Sequence, residues 1–154
     1  MSELQLTKLL NLPNLEVVKY ETPDAETAIL EIKSTLAVSL CPRCKTPSTT
    51  IHDYDDPRLV QDLSLSGRKS YLRYHGRRFE CAVCEQSFTE CVAWLNFDSS
   101  YTKRFEEHVY RLCRKSTVQD VSTFLGLGYD AVEGIFHRWA KKRRRRAGQG
   151  RSAS

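Results

Sequence analysis

Six cysteines stand in this chain of 154 residues, and four form two close pairs, Cys41-Pro-Arg-Cys44 and Cys81-Ala-Val-Cys84. A two-residue spacer lets one tight turn aim two sulfurs at a single point. Two such turns complete a closed tetrahedral site of the structural zinc type. A redox dithiol is the competing chemistry for one such pair, but two pairs in one small domain favour metal. A closed four-thiolate site performs no reaction; it folds protein. Structural zinc contributes roughly 10–16 kcal/mol of apparent binding free energy in finger peptides. Cys41, Cys44, Cys81 and Cys84 are therefore the expected Zn2+ ligands. Cys91 and Cys113 are expected as small buried hydrophobes. His52, His75 and His108 are isolated and receive no role.

A second constellation lies in residues 117–137, which fit a helix-turn-helix. Gly126 stands at the turn, where a left-handed backbone is needed. Ser122 is small where the two helices would approach, and Val121, Leu125, Leu127, Val132 and Ile135 take the interior positions. An ordinary helical hairpin would show a similar apolar pattern without requiring the small residue and the glycine at these offsets. The exposed start of the second helix offers Tyr129, Asp130 and Glu133, with His137 one turn on. An acid can accept from cytosine N4, and a tyrosine can reach phosphate or base. Acids near phosphate need basic neighbours, and Arg138, Lys141, Lys142, Arg143, Arg144, Arg145 and Arg146 follow, joined by Arg114 and Lys115 at the preceding helix end. Those cations predict affinity and salt dependence without sequence preference. A further basic strand carries Lys69, Arg73 and Arg77 on one face with Tyr71, a pattern that also suits backbone contact.

The elements that must hold these groups change character along the chain. A short helix over 3–12, with Leu6, Leu9 and Leu10 on one face, is closed by Pro13. Leu15–Tyr20 and Thr27–Lys33 read as a hairpin. Thr49–Tyr54, Leu59–Leu65 and Ser70–Phe79 alternate, divided by Asp55-Asp56-Pro57 and Ser66-Gly67, so a second antiparallel set is expected among the 36 residues between Cys44 and Cys81. Beyond residue 100 the period becomes helical. Phe105, Val109, Leu112 and Cys113 stripe one helix, with Ser99 or Ser100 as cap, and Ser116–Gln119 resembles a capping box for the next. The last helix runs from Tyr129 to about Arg144 with Val132, Ile135, Phe136 and Trp139 inward.

Charge follows the same division. The total of 24 Lys and Arg against 19 Asp and Glu gives +5, yet residues 134–154 hold eight basic residues and no acid. The first 133 residues thus hold 16 basic against 19 acidic groups, a net −3. At 40% hydrophobic and 28% charged residues, a folded globular protein is expected and a disordered or membrane protein is not. The opening Met-Ser-Glu-Leu-Gln-Leu lacks a basic segment followed by an apolar one, so no secretory signal is expected and a reducing, cytoplasmic, nucleoid-associated location is.

The order of these features resembles the N-terminal part of the ISL-three family of bacterial insertion-sequence transposases. The resemblance rests on Cys-Pro-Arg-Cys, the basic strand ending Arg-Arg-Phe-Glu-Cys-Ala-Val-Cys, Ser87-Phe-Thr-Glu90, and the helix-turn-helix. It implies zinc on the four paired cysteines and recognition of terminal inverted repeats through residues 117–140. Family transposases continue into an RNase H-like domain whose three carboxylates hold two metals. The acids Asp53, Asp55 and Asp56 match no such motif, so the expectation is a DNA-binding piece without catalysis. The expected fold class is α+β: a β-rich zinc-ribbon-like module followed by an all-α helix-turn-helix module. The expected domains are 1–36 (helix and hairpin), 37–95 (four-cysteine domain), 99–146 (helix-turn-helix) and 147–154 (disordered tail). The expected partners are double-stranded DNA at transposon ends, with a homodimer allowed and no membrane or small-molecule substrate. A stand-alone zinc-dependent helix-turn-helix transcriptional regulator is the alternative.

Overall fold

The computed structural model describes residues 2–152, the last four as backbone only. It divides after Thr102 into two compact units, a β-rich one and a helical one.

The first unit opens with α1 (Glu3–Leu10), where Ser2 and Gln5 form a reciprocal capping box and Asn11 closes the helix in the left-handed conformation. Leu6 and Leu10 are buried, while Leu9, expected beside them, is exposed. With eight residues, two inward positions one turn apart are all the helix can seat. Two long strands follow, β1 (Leu15–Asp24) and β2 (Thr27–Ser34). Then come β3 (Ser39–Leu40) and β4 (Pro47–Ser48) around the first cysteine pair, and β5 (Ile51–Tyr54). The inserted hairpin is β6 (Arg58–Leu65) and β7 (Arg68–Tyr74). Its turn is Ser66-Gly67, both at positive φ (51° and 79°), the backbone a two-residue hairpin needs. Finally β8 (Arg77–Glu80) and β9 (Ser87–Thr89) flank the second cysteine pair.

The long strands form one sheet in the order β1-β2-β7-β6, in which β2 and β7 run parallel from Thr27↔Lys69 to Ile32↔Tyr74. Residues 1–36 therefore do not stand apart as a module, contrary to expectation. The hairpin inserted between the cysteine pairs supplies the other half of their sheet. Neither hairpin alone covers its apolar face, whereas four strands bury one together. The shared core holds Leu6, Leu15, Val17, Leu30, Ile32, Val60, Leu72, Tyr74, Trp94 and Leu95. The unit also extends past residue 99, the expected domain boundary. Tyr101 bridges to Gln61, and the fully buried Thr102 hydroxyl donates to Asp62 at 2.8 Å.

The helical unit comprises α2 (Lys103–Cys113), α3 (Val118–Leu125) and α4 (Tyr129–Ser152). The helix α2 begins at Lys103, and the hydroxyl of Ser99, one of its two expected caps, accepts from the Tyr101 N–H two residues ahead. The α3 cap is Thr117, one residue beyond the expected Ser116, because the Ser116 N–H closes the end of α2 on the Leu112 carbonyl. The last helix continues to Ser152, through residues expected as a tail. Lys and Arg favour helix, and no proline follows Trp139 to stop it. Ala153 and Ser154, the rest of that tail, lie outside the described residues.

Candidate metal centre and nucleic-acid interface

The two cysteine turns are built alike. Cys41 donates its N–H to the Thr46 carbonyl (3.0 Å) and accepts at its own carbonyl from Lys45 (2.8 Å). Cys81 repeats this with Gln86 (3.0 Å) and Glu85 (2.9 Å). Lys45 and Glu85 both adopt positive φ, 60° and 57°, which folds each chain back four residues after its first cysteine. The turns are tied together by the Ser48 hydroxyl, which donates to the Glu80 carbonyl at 2.5 Å, and by the Glu80 N–H on Thr50 (3.0 Å).

One sulfur from each of Cys41, Cys44, Cys81 and Cys84 lies within 4.8 Å of the other three, and Cys44 and Cys81 stand 3.5 Å apart. Sulfurs at about 2.3 Å from one tetrahedral zinc would sit roughly 3.8 Å from each other, so the quartet fits that ion. Cys41 and Cys81 are fully buried, whereas Cys44 is exposed and Cys84 half-buried. Beneath them Phe79 and Phe88 stack at 6.0 Å. The thiols interact strongly. Backbone N–H groups, that of Cys44 foremost, pull the Cys41 pKa down. The Thr46 hydroxyl beside Cys44 holds that thiol down to about 6. Cys84, facing Cys44, is pushed up to about 12. Four thiolates this close repel each other, and a divalent cation removes that repulsion. All four donors are thiols, and the closed set leaves no position for substrate. The centre is a structural zinc site.

Around it lies a buried polar network that spacing alone did not reveal. The Glu90 carboxylate is fully enclosed. It accepts from the Tyr74 hydroxyl (2.8 Å), the Arg77 N–H (3.2 Å) and Arg77 Nε (3.2 Å). Arg77 also reaches Ser34 Oγ (3.2 Å) and the Leu36 carbonyl. Burial, then the Glu90 charge, pushes the Tyr74 pKa up, so the hydroxyl stays a donor. Arg73 pairs with Glu21 at 2.9 Å and Arg78 with Asp55 at 3.4 Å. The expected basic strand face is thus largely neutralised within its own unit. Cys91, expected buried, is exposed: it follows Glu90, whose side chain takes the inward position.

In the helical unit Gly126 adopts φ 68°, ψ 31°, and its N–H caps α3 on Ser122. Ser122 is buried, and its hydroxyl donates to the Leu127 carbonyl at 2.6 Å. Both residues thus do what their positions predict. Val121, Val132 and Ile135 are buried, and Leu125 and Leu127 half-buried. Along α4, Tyr129, Asp130, His137, Lys141, Lys142, Arg143, Arg144 and Arg145 are exposed, and Glu133 is half-buried. Arg138 differs. Its guanidinium reaches inward to Glu106 at 3.2 Å, and Trp139 Nε1 donates to the same carboxylate at 3.2 Å. Glu106 is 1% exposed, a charge inside a helix interface that the apolar stripe did not predict. Among the described helices none is long and apolar enough to cross a membrane.

Residues 37–84 match the zinc-finger of transposase IS204/IS1001/IS1096/IS1165. Residues 90–140 match the helix-turn-helix domain of transposase family ISL3. No curated protein and no solved structure matches the chain. The matched segments enclose the cysteine quartet and α3, its turn and the first half of α4, in the order the sequence suggests. The chain therefore carries the zinc-binding and helix-turn-helix DNA-binding domains of ISL3-family transposases.

Proposed function

We propose that this protein recognises the terminal inverted repeats of an insertion element, and that these residues bind DNA without cutting it. The α3–turn–α4 geometry carries the reading. Gly126 and Ser122 set two helices at a tight turn, and α4 leaves that turn with Tyr129, Asp130 and His137 exposed. These side chains, with Glu133, would approach base edges, while Lys141, Lys142, Arg143, Arg144 and Arg145 would hold phosphates. Arg138 would reach a phosphate only from its tether on Glu106.

Strand cleavage by two metals requires converging carboxylates. Among the described residues the cysteine quartet is the one cluster of three or more metal-ligating groups. Asp55, one of the acids ahead of the basic strand, instead accepts from Thr89 (3.0 Å) and Arg78 (3.4 Å). Association with the nucleoid follows from DNA binding. The test is a gel-shift titration with a duplex carrying an element end against a scrambled duplex. Binding of the end at least about ten times tighter supports the reading, since specific sites usually exceed non-specific ones by far more. Equal affinity for both would sink inverted-repeat recognition, and magnesium-dependent nicking by the purified chain would sink the absence of cutting.

A further inference from the structure

We infer that the end of α2 and the middle of α4 form a phosphate clamp for one strand of duplex DNA. In it Arg114, Lys142 and Arg143 touch the backbone, and Tyr110 and Trp139 are their positioning residues. The inference rests on the DNA-binding reading above and adds to it a cation from outside the helix-turn-helix and the rings that hold the set together.

Tyr110 lies in the last turn of α2, stacked on Phe136 at 5.5 Å and Trp139 at 6.4 Å from α4. Arg114, the first residue after α2, and Arg143 of α4 place their guanidinium carbons 6.0 Å and 5.4 Å from that one Tyr110 ring centroid. The Lys142 ammonium sits 5.5 Å from the Trp139 ring. Trp139 is itself fixed by its Nε1–H bond to buried Glu106. Two helices thus bring three cations to one aromatic platform.

All three cations are exposed, and among the described residues none pairs with a carboxylate. Gathering like charges without counter-ions is unfavourable unless something else holds them. Ring faces supply attraction to a cation, and the carbonyl end of α2 favours Arg114. Neither neutralises charge, so the cluster remains ready for an anion. A small anion on so exposed a surface competes poorly with water. A phosphodiester backbone gains in addition from released counter-ions. Side chains already ordered against rings lose less freedom on binding than free ones, so a stacked arginine contributes more than an unsupported neighbour.

Lys115 provides that neighbour. It is an exposed cation at the same helix end, with no ring contact among the described residues. The experiment measures affinity of the full zinc-loaded chain for a fluorescent duplex across a salt series. Arg114→Gln and Arg143→Gln should each weaken binding about 5–10-fold and flatten the log–log salt slope by about 1. Lys115→Gln should change affinity less than about 2-fold. Tyr110→Leu should reproduce the flattened slope, and Tyr110→Phe, which keeps the ring, should restore it. Arg114→Gln lies on the surface, so its result does not depend on whether Tyr110→Leu folds. A wild-type chain that binds while Arg114→Gln and Lys115→Gln behave alike overturns the clamp alone. A wild-type chain that binds no duplex at low salt overturns the clamp and the DNA reading together.

Discussion

The zinc ligands differ in burial, and that decides how the centre should fail. Cys41 and Cys81 are fully enclosed above the Phe79–Phe88 stack, so a substitution at either leaves an unmet site inside a small core. Native mass spectrometry should find one zinc equivalent on the wild-type chain, and Cys81→Ser should abolish it and unfold the β8–β9 region. Structural zinc, at about 10–16 kcal/mol, outweighs the usual stability of a whole domain. The pH dependence has a definite sign. The Cys44 thiol is held down to about 6 by Thr46, so its ionised form is favoured in the fold. That stabilisation is present above the ordinary thiol range and lost as pH falls through about 6. Bound metal lowers the point further, so zinc release followed with a chromogenic chelator should have its midpoint below pH 6. Release complete at neutral pH would contradict this. Glu90 makes a second residue-scale case. Its removal leaves Arg77 facing the core with 11% of its side chain exposed. Glu90→Ala should therefore cost about 3–5 kcal/mol in a urea titration, the usual penalty of breaking a buried pair. An unchanged midpoint would show that water repairs the site.

Elements were legible where one residue type has one physical use. Gly126 at a turn, Ser122 where helices meet, and Ser66-Gly67 between alternating runs all state backbone geometry directly, and each is found in its place. The two cysteine turns were legible for the same reason. What alternation could not show is which strands pair at a distance. Nothing in Thr27–Ser34 names β7 as its parallel partner, because pairing is decided by burial of a common face. The motif segments beside the second cysteine pair now have a physical basis. In Arg77-Arg-Phe79 and Phe88-Thr-Glu90 the rings stack and the first arginine meets the last acid. Gly76, just before them, carried no signal of its own, since its backbone is not left-handed. A methyl there would meet Asp55 Oδ2 at 2.9 Å and Thr89 Cγ2 at 3.2 Å, and Asp55 is already tied to the Gly76 carbonyl through its N–H (2.7 Å). Gly76→Ala should destabilise the β5–β8–β9 sheet by about 1–3 kcal/mol, the range for an overpacked site. Gly126→Ala, strained by φ 68°, should cost about 1–2 kcal/mol. Thermal melts of the two variants check both.

Across the whole molecule charge separates along the line that separates the folds. The unit up to Thr102 holds 11 basic and 14 acidic residues, and the helical unit 13 basic and 5 acidic, so net charges of −3 and +8 lie on either side of the division. The acidic unit also engages its arginines internally: Arg73 with Glu21, Arg77 with Glu90, Arg78 with Asp55. Zinc thus stabilises a unit of net negative charge, while α4 carries a run of exposed cations that no zinc holds in place. Removing metal and removing charge should then act differently on DNA binding. Lys141→Gln, Lys142→Gln, Arg144→Gln and Arg145→Gln combined should flatten the salt slope by about 3–4, near 0.9 for each phosphate no longer neutralised. A chelated chain should keep most of the wild-type slope on a random duplex, because the helical unit has its own buried core in Val109, Val132 and Ile135. Its preference for an element end over random sequence should fall instead, since the zinc-stapled unit can add discrimination by shape and position where it adds little charge. A chelated chain whose salt slope collapses as far as the fourfold variant's would mean that the zinc unit itself holds phosphates, and that its ion-paired arginines exchange their carboxylates for DNA.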